Sequence, residues 1–140
     1  MPKIVEHVEK TTATREQIWP LWADIEGWPN WDDGLDWVKP EGPLEEGTFA
    51  QLKPKGAKVV PFEFVEVDAP NGFVDVTLLP KAKMRMEHRL RDADGGGLEL
   101  YQRVSFSGPL GGVFGFIIGR GMKRDMPGAM RKLLELAEAS

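Results

Sequence analysis

The fold of this chain is decided by the stretch at residues 113–139, VFGFIIGRGMKRDMPGAMRKLLELAEA. When each residue advances the helical projection by about 100°, the apolar side chains form one stripe and the basic side chains lie opposite. The stripe consists of Phe114, Ile118, Met122, Met126, Ala129, Leu133 and Leu136. The pattern predicts a long amphipathic helix that buries one face.

Two residues interrupt this helix. Asp125 projects into the apolar stripe, so it is either a polar residue of a buried site or the N-cap of a second helical segment. Pro127 is tolerated in the first turn of a helix but removes a hydrogen bond from its interior. The Pro127-Gly128 pair therefore favours a kink or a restart near this position.

The chain before the helix contains segments with the alternation of strands. Two neighbouring segments, at 82–91 and 98–107, alternate apolar and polar residues around a glycine-rich turn, which predicts an antiparallel hairpin. Its buried face should carry Met84, Met86, Leu98, Leu100, Val104 and Phe106, and its exposed face Arg85, Arg89, Glu99 and Arg103. Further strands are predicted at 4–10, 48–53, 59–67 and 73–79. A sheet and a helix with one apolar face each predict an α+β fold.

Only two polar residues, His88 and Gln102, fall on the buried face of the predicted hairpin. A buried polar group without a partner costs about 1–3 kcal/mol, so both need a partner, a water molecule or a ligand. They either satisfy each other or form a site with Asp125. In that site His88 would be a general acid–base residue, oriented by Asp125 or Gln102.

The five tryptophans lie between positions 19 and 37, around the segment ATREQIWPLWADIEGWPNW at residues 13–31. Thr14 and Gln17 have the spacing of a capping box, which predicts a short helix, and a second short helical turn follows. The tryptophans either anchor these two helices on the sheet or line a ligand cavity.

This segment and the terminal helix resemble the START-like, or SRPBCC, superfamily, whose members include polyketide cyclase/dehydrase and lipid-transport proteins. The resemblance implies a single START-like domain over residues 1–140. It implies a helix-grip fold, in which a curved antiparallel sheet wraps around the long C-terminal helix and two short helices follow the first strand. A cavity between sheet and helix is implied, but no particular catalytic residue.

The function expected from the resemblance is the binding of a hydrophobic small molecule or lipid in that cavity. The alternative is a polyketide cyclase/dehydrase-like enzyme that uses His88, with Asp125 and Gln102 as the other candidate catalytic residues. The residues expected to contact the ligand are Trp28, Trp31, Met84, Met86, His88, Leu100, Gln102, Val104, Ile118, Met122 and Asp125.

A second alternative is a lipid carrier that docks transiently on a membrane. Phe114, Phe116, Ile117 and Ile118 precede Arg120, Lys123, Arg124 and Arg131, and this combination is typical of a helix that contacts anionic lipid. The other interpretation of these basic residues is a solvated helix face.

Composition excludes several other classes of function. The net charge of −4 gives no global field that would attract nucleic acid. The chain has no cysteine and only two distant histidines, so neither a metal site nor a cofactor is expected. Residues 1–11 lack the apolar core of a signal peptide, and we expect a cytoplasmic protein.

Overall fold

A computed structural model describes residues 4–140. The strands are β1 (Ile4–Thr11), β2 (Leu35–Pro40), β3 (Phe49–Pro54), β4 (Val60–Asp68), β5 (Gly72–Leu79), β6 (Ala82–Asp92) and β7 (Leu98–Ser107). The helices are α1 (Arg15–Ala23), a 3₁₀ helix (Ile25–Asn30) and α2 (Gly111–Glu138). The predicted positions of the strands are confirmed to within a few residues, and β2 is an additional strand.

The strands form one sheet in the order β1-β7-β6-β5-β4-β3-β2, and every neighbouring pair is antiparallel. α2 packs against β1, β7 and β6 on the inner face, while the 3₁₀ helix packs against β2. This curved sheet around a long C-terminal helix is the helix-grip arrangement that the resemblance implied.

The short helix α1 begins as the sequence predicts. The Thr14 hydroxyl accepts a hydrogen bond from the Gln17 backbone N–H at 3.2 Å, and the Gln17 side chain accepts one from the Thr14 N–H at 2.9 Å. These reciprocal bonds satisfy two backbone donors at the helix start and confirm the capping box. α1 buries Ile18 and Trp22 against the sheet.

The predicted hairpin is formed by β6 and β7. Met84, Leu98, Leu100, Val104 and Phe106 are buried as predicted, and Met86 is half-buried. On the outer face Arg85 is exposed, whereas Arg89, Glu99 and Arg103 are half-buried. Neighbouring side chains cover part of the outer face, as where Arg89 pairs with Glu66 of β4 at 2.6 Å.

α2 differs from the prediction in its buried face. The helix is continuous through Pro127, so the predicted restart is wrong. Its buried residues are Gly111, Gly115, Gly119, Met126, Met130, Leu133, Leu134 and Ala137. At about 100° per residue, the centre of this face lies roughly 120° from Phe114. Leu136 and Asp125 are therefore exposed, which corrects their predicted inward positions.

Candidate functional site

The buried polar residues of the inner face gather on β5 and β6. His88 is 5% exposed, and its Nε2 lies 3.2 Å from Oδ2 of Asp75, which is 4% exposed. An ionised carboxylate can only accept, so Nε2–H donates and a neutral ring presents Nδ1 as an acceptor. Asp75 is thus the residue that orients His88, the role assigned on sequence to Asp125 or Gln102.

The aromatic core fixes the imidazole ring. His88 stacks on Phe73 at a centroid distance of 4.2 Å, and Trp22 meets it edge-on at 6.0 Å. Gly72 lets the two strands approach here, since a Cβ at this position would lie 2.2 Å from the His88 carbonyl oxygen. Backbone and side-chain contacts therefore hold the Asp75–His88 pair in one geometry.

Among the described residues, one buried polar atom of this pair and one beside it lack a protein partner. Within residues 4–140, neither His88 Nδ1 nor Thr77 Oγ1 makes a hydrogen bond. Thr77 follows Asp75 by two residues on β5 and therefore shares its face. Gln102 is buried on β7 directly opposite His88. The pair, Thr77 and Gln102 form a polar cluster in an apolar core.

Asp125 is not part of this cluster. Its side chain is 67% exposed and receives two hydrogen bonds from Arg124, from Nε at 2.9 Å and from Nη2 at 3.1 Å. The guanidinium of Arg124 lowers the pKa of the Asp125 carboxyl. Asp125 is also inside α2, so its predicted role as the N-cap of a new helix is wrong as well.

A cavity of about 430 Å³ opens between the turn at residues 31–34 and the middle of α2. Beside Trp31, Gly34, Gly128 and Ala129, its lining consists of the charged side chains of Asp32, Asp33, Arg124, Asp125, Arg131 and Lys132. Across it, Lys132 Nζ donates to Asp33 Oδ1 at 3.1 Å. Gly128 and Ala129 provide space on the helix side, because neither carries a large side chain.

Asp32 lies on the cavity wall in a half-buried position. Burial raises the pKa of the Asp32 carboxyl, the Gly34 N–H opposes that shift, and the charges of Asp33 and Asp125 add to it. Of the three carboxylates in this part of the chain, Asp32 is half-buried, whereas Asp33 and Asp36 are exposed.

The other residues expected to contact a ligand divide into two groups. Met84, Leu100 and Val104 are buried in the core, as is Trp28, whose Nε1 donates to the Trp22 carbonyl oxygen at 3.0 Å. Met86, Ile118 and Met122 are half-buried and pack at its edge. Of the tryptophans, Trp31 lines the cavity, while Trp28 stacks between Phe62 and Phe73 as an anchor.

The described residues contain no group of three or more His, Cys, Asp or Glu that could hold a metal ion. No helix among residues 4–140 combines the length and the apolarity that crossing a bilayer requires. A buried imidazole with a carboxylate behind it can accept a proton at Nδ1 and return it.

Solved structures with the same fold include aromatase/cyclases. The di-domain ARO/CYC StfQ from the steffimycin biosynthetic pathway aligns with a TM-score of 0.79 at 13% identity, over 99% of this chain and 51% of that one. This chain thus spans about half the length of StfQ. The Zhui aromatase/cyclase from Streptomyces sp. R1128 aligns with a TM-score of 0.77 at 15% identity, over 99% of this chain and 94% of that one.

A third structure, Ara h 8.0201, aligns with a TM-score of 0.74 at 14% identity over the full length of both chains. No curated protein gives a significant match. Residues 1–138 match the family described as polyketide cyclase / dehydrase and lipid transport. The match covers nearly the whole chain and agrees with the fold. The protein therefore belongs to this family and, through it, to the START-like (SRPBCC) superfamily.

Proposed function

We propose that this START-like domain binds a hydrophobic small molecule that carries a hydroxyl or carbonyl group. The observation that carries the proposal is the polar cluster around the Asp75–His88 pair. In it, His88 Nδ1 and Thr77 Oγ1 have no hydrogen-bonding partner among residues 4–140. Leaving such atoms unpaired costs about 1–3 kcal/mol each. A ligand group that pairs with them recovers this cost.

The cavity beside Trp31 supports the same proposal. Its volume of about 430 Å³ lies within the range of roughly 300–1,000 Å³ typical of small-molecule sites. Trp31 offers an apolar surface for part of a ligand, and the charged side chains around it can pair with polar groups of that ligand. In the proposed complex the body of the ligand lies in this cavity.

The alternative function is a polyketide cyclase/dehydrase-like reaction with His88 as the acid–base residue. The Asp75 contact favours it, because a carboxylate behind the imidazole fixes the ring orientation and the tautomer that leaves Nδ1 to accept a proton from the substrate. Asp75 would act as a positioning residue. Gln102 would offer a further hydrogen bond to the substrate from the opposite strand.

A lipid carrier would be a second form of the binding function, with a lipid as the hydrophobic ligand. Such a carrier needs a surface that contacts a membrane in addition to an interior site. The exposure of Phe116 (62%) and Ile117 (64%) on α2 is the observation that favours it.

The binding proposal can be tested by filling the cavity. Gly128 lies on the cavity wall, and a Cβ there has no heavy atom within 4 Å, so Gly128→Phe should fold and occupy the space. Gly112 of the same helix is equally open but does not line the cavity, which makes Gly112→Phe the matched control.

Native mass spectrometry of each purified protein detects a retained ligand, and titration with 1-anilinonaphthalene-8-sulfonate, followed by quenching of tryptophan emission, measures affinity. We expect Gly128→Phe to lose the retained ligand and to weaken quenching by about tenfold, or 1.4 kcal/mol. The control should behave as wild type. Wild-type affinity in Gly128→Phe would remove the cavity from the proposal.

A further inference from the structure

We propose that the β5–β6 turn and the first half of α2 form a docking surface for bilayers that contain anionic lipids. The surface is separate from the polar cluster and from the cavity beside Trp31. The docking inference rests on the proposed function only in one respect: docking would serve the exchange of a hydrophobic ligand with a membrane. Docking itself requires no ligand.

The apolar part of the surface comes from α2. Val113, Phe116 and Ile117 are 54%, 62% and 64% exposed and lie on the side of the helix that faces away from the sheet. The side that faces the sheet carries the buried Gly115 and Gly119. The helix therefore approaches the sheet through glycine and presents bulky apolar side chains outward, the reverse of an ordinary surface helix.

The β5–β6 turn continues this surface. The Leu110 N–H donates to the Lys81 carbonyl oxygen at 3.0 Å, which ties the start of α2 to the turn. A groove of about 470 Å³ runs along the turn and the segment just before α2, and its apolar lining includes Leu78, Leu79 and Pro109. Leu78 is 42% exposed. The turn thus adds apolar surface next to the start of the helix.

The charge of the surface has a single sign. Residues 76–86 and 100–124 contain no Asp or Glu, although the chain as a whole carries a net charge of −4. The exposed cations of this region are Lys81, Lys83, Arg85, Arg120, Lys123 and Arg124. The guanidinium of Arg120 lies 5.5 Å from the centroid of the Phe116 ring. Arg85 pairs with Glu87 and Arg124 with Asp125, whereas the other four have no carboxylate partner within the described part of the chain.

This combination fits an anionic bilayer better than other partners. Apolar side chains enter the boundary between headgroups and acyl chains, while lysine and arginine pair with the headgroups. A second copy of this chain would bring cations against cations at a two-fold interface, which opposes association. Binding of nucleic acid phosphates would use the cations but would leave the apolar side chains of Phe116 and Ile117 exposed to water.

The experiment is flotation of the full chain with vesicles of phosphatidylcholine alone and with vesicles that also contain phosphatidylglycerol. We expect binding only to the anionic vesicles and its loss at high salt. Phe116→Ser/Ile117→Ser should lower the partition coefficient at least about tenfold. Lys81→Gln/Lys83→Gln should lower it by about five- to twentyfold.

Matched controls come from parts of the sheet away from the β5–β6 turn. Phe49→Ser removes a phenyl ring of β3 that is 45% exposed. Lys10→Gln removes an exposed lysine of β1 that lies opposite Glu99, near the β6–β7 turn at the other end of the sheet. Both should bind as wild type. The proposal fails if anionic vesicles are not bound, or if the controls lose as much binding as the surface variants. It also fails if light scattering shows a dimer that Phe116→Ser/Ile117→Ser dissociates, because the occupant is then a second copy.

Discussion

His88 Nε2 and Asp75 Oδ2 are 3.2 Å apart in a part of the core where both side chains are at least nine-tenths buried. The contact joins neighbouring strands, because Asp75 belongs to β5 and His88 to β6. Each residue is the hydrogen-bonding partner that makes burial of the other tolerable. Stability and any chemistry at His88 therefore depend on the same contact.

The first prediction concerns this contact. Asp75→Ala should lower the free energy of unfolding by about 1–3 kcal/mol, because it leaves both nitrogens of a buried imidazole unpaired. Urea denaturation measures the change, and Asp94→Ala in the exposed β6–β7 turn should stay within about 0.5 kcal/mol of wild type. Combining Asp75→Ala with His88→Ala should cost less than the sum of the single changes. Strict additivity would mean that the pair is not coupled.

The strongest sequence patterns predicted the fold well. The alternation in β6 and β7 placed His88 and Gln102 on the inner face because every second residue there is apolar. In β5 the pattern fails, since Val74 and Val76 are apolar on one face and Phe73 on the other. Asp75 could not be assigned to a face for that reason. Treating Phe73 as inward would have placed Asp75 inward two residues later.

The error at Asp125 has a different physical origin. The predicted stripe was drawn through the large apolar residues of α2, with Phe114 as its reference. The helix instead packs through Gly115 and Gly119, which an apolar count overlooks. Close packing through glycine rotates the buried face away from Asp125 and also leaves Phe116 and Ile117 outside. The cavity and the position of Asp32 depend on how a turn meets α2, and no local pattern encodes that contact.

The second prediction is a dependence of stability on pH. Burial raises the pKa of Asp32 above 3.8, so the folded chain holds this proton more tightly than the unfolded chain. The protonated Asp32 carboxyl therefore stabilises the folded chain fully below pH 3.8, and this contribution to the free energy of unfolding is lost as pH rises through the pKa of the folded chain. Asp32→Asn keeps an oxygen for the Gly34 N–H and removes the charge. It should be more stable than wild type at neutral pH, by a margin that vanishes as pH falls toward 3.8.

Urea unfolding across this pH range checks the prediction, with Asp33→Asn as the control at the neighbouring carboxylate. That variant loses an exposed pair with Lys132, so at neutral pH it should be equal to wild type or less stable by up to about 1 kcal/mol. A pH-independent difference between Asp32→Asn and wild type would show that Asp32 does not titrate in this range.

The third prediction separates two tryptophans. Ligand binding in the cavity should quench Trp31, which lines it, and leave Trp28, which lies between two phenylalanine rings, largely unaffected. Trp31→Phe should therefore abolish most of the quenching by 1-anilinonaphthalene-8-sulfonate. Trp28→Phe should retain the quenching but lose about 1–3 kcal/mol of stability, because it removes a buried hydrogen bond to the Trp22 carbonyl and part of a ring. Equal quenching in both variants would assign the signal to another tryptophan.

The last prediction distinguishes catalysis from binding, and it depends on what replaces the imidazole. His88→Gln keeps an N–H that can donate to Asp75, so the strand contact and the fold should survive. An amide cannot shuttle a proton near neutral pH. If His88 is an acid–base residue, turnover of a substrate identified by mass spectrometry should fall about 10²–10⁴-fold with little change in binding.

If His88 only holds a ligand, the same variant should weaken affinity by about 0.5–1.5 kcal/mol. His7→Gln is the control, because His7 is the other histidine of the chain and its Nε2 contacts Glu9 rather than the polar cluster. Turnover within a few-fold of wild type in His88→Gln would end the enzyme alternative at this residue. Retained binding with lost turnover in His88→Gln, but not in His7→Gln, would establish the enzyme alternative. The two variants remove the same imidazole ring and differ only in the position of that ring.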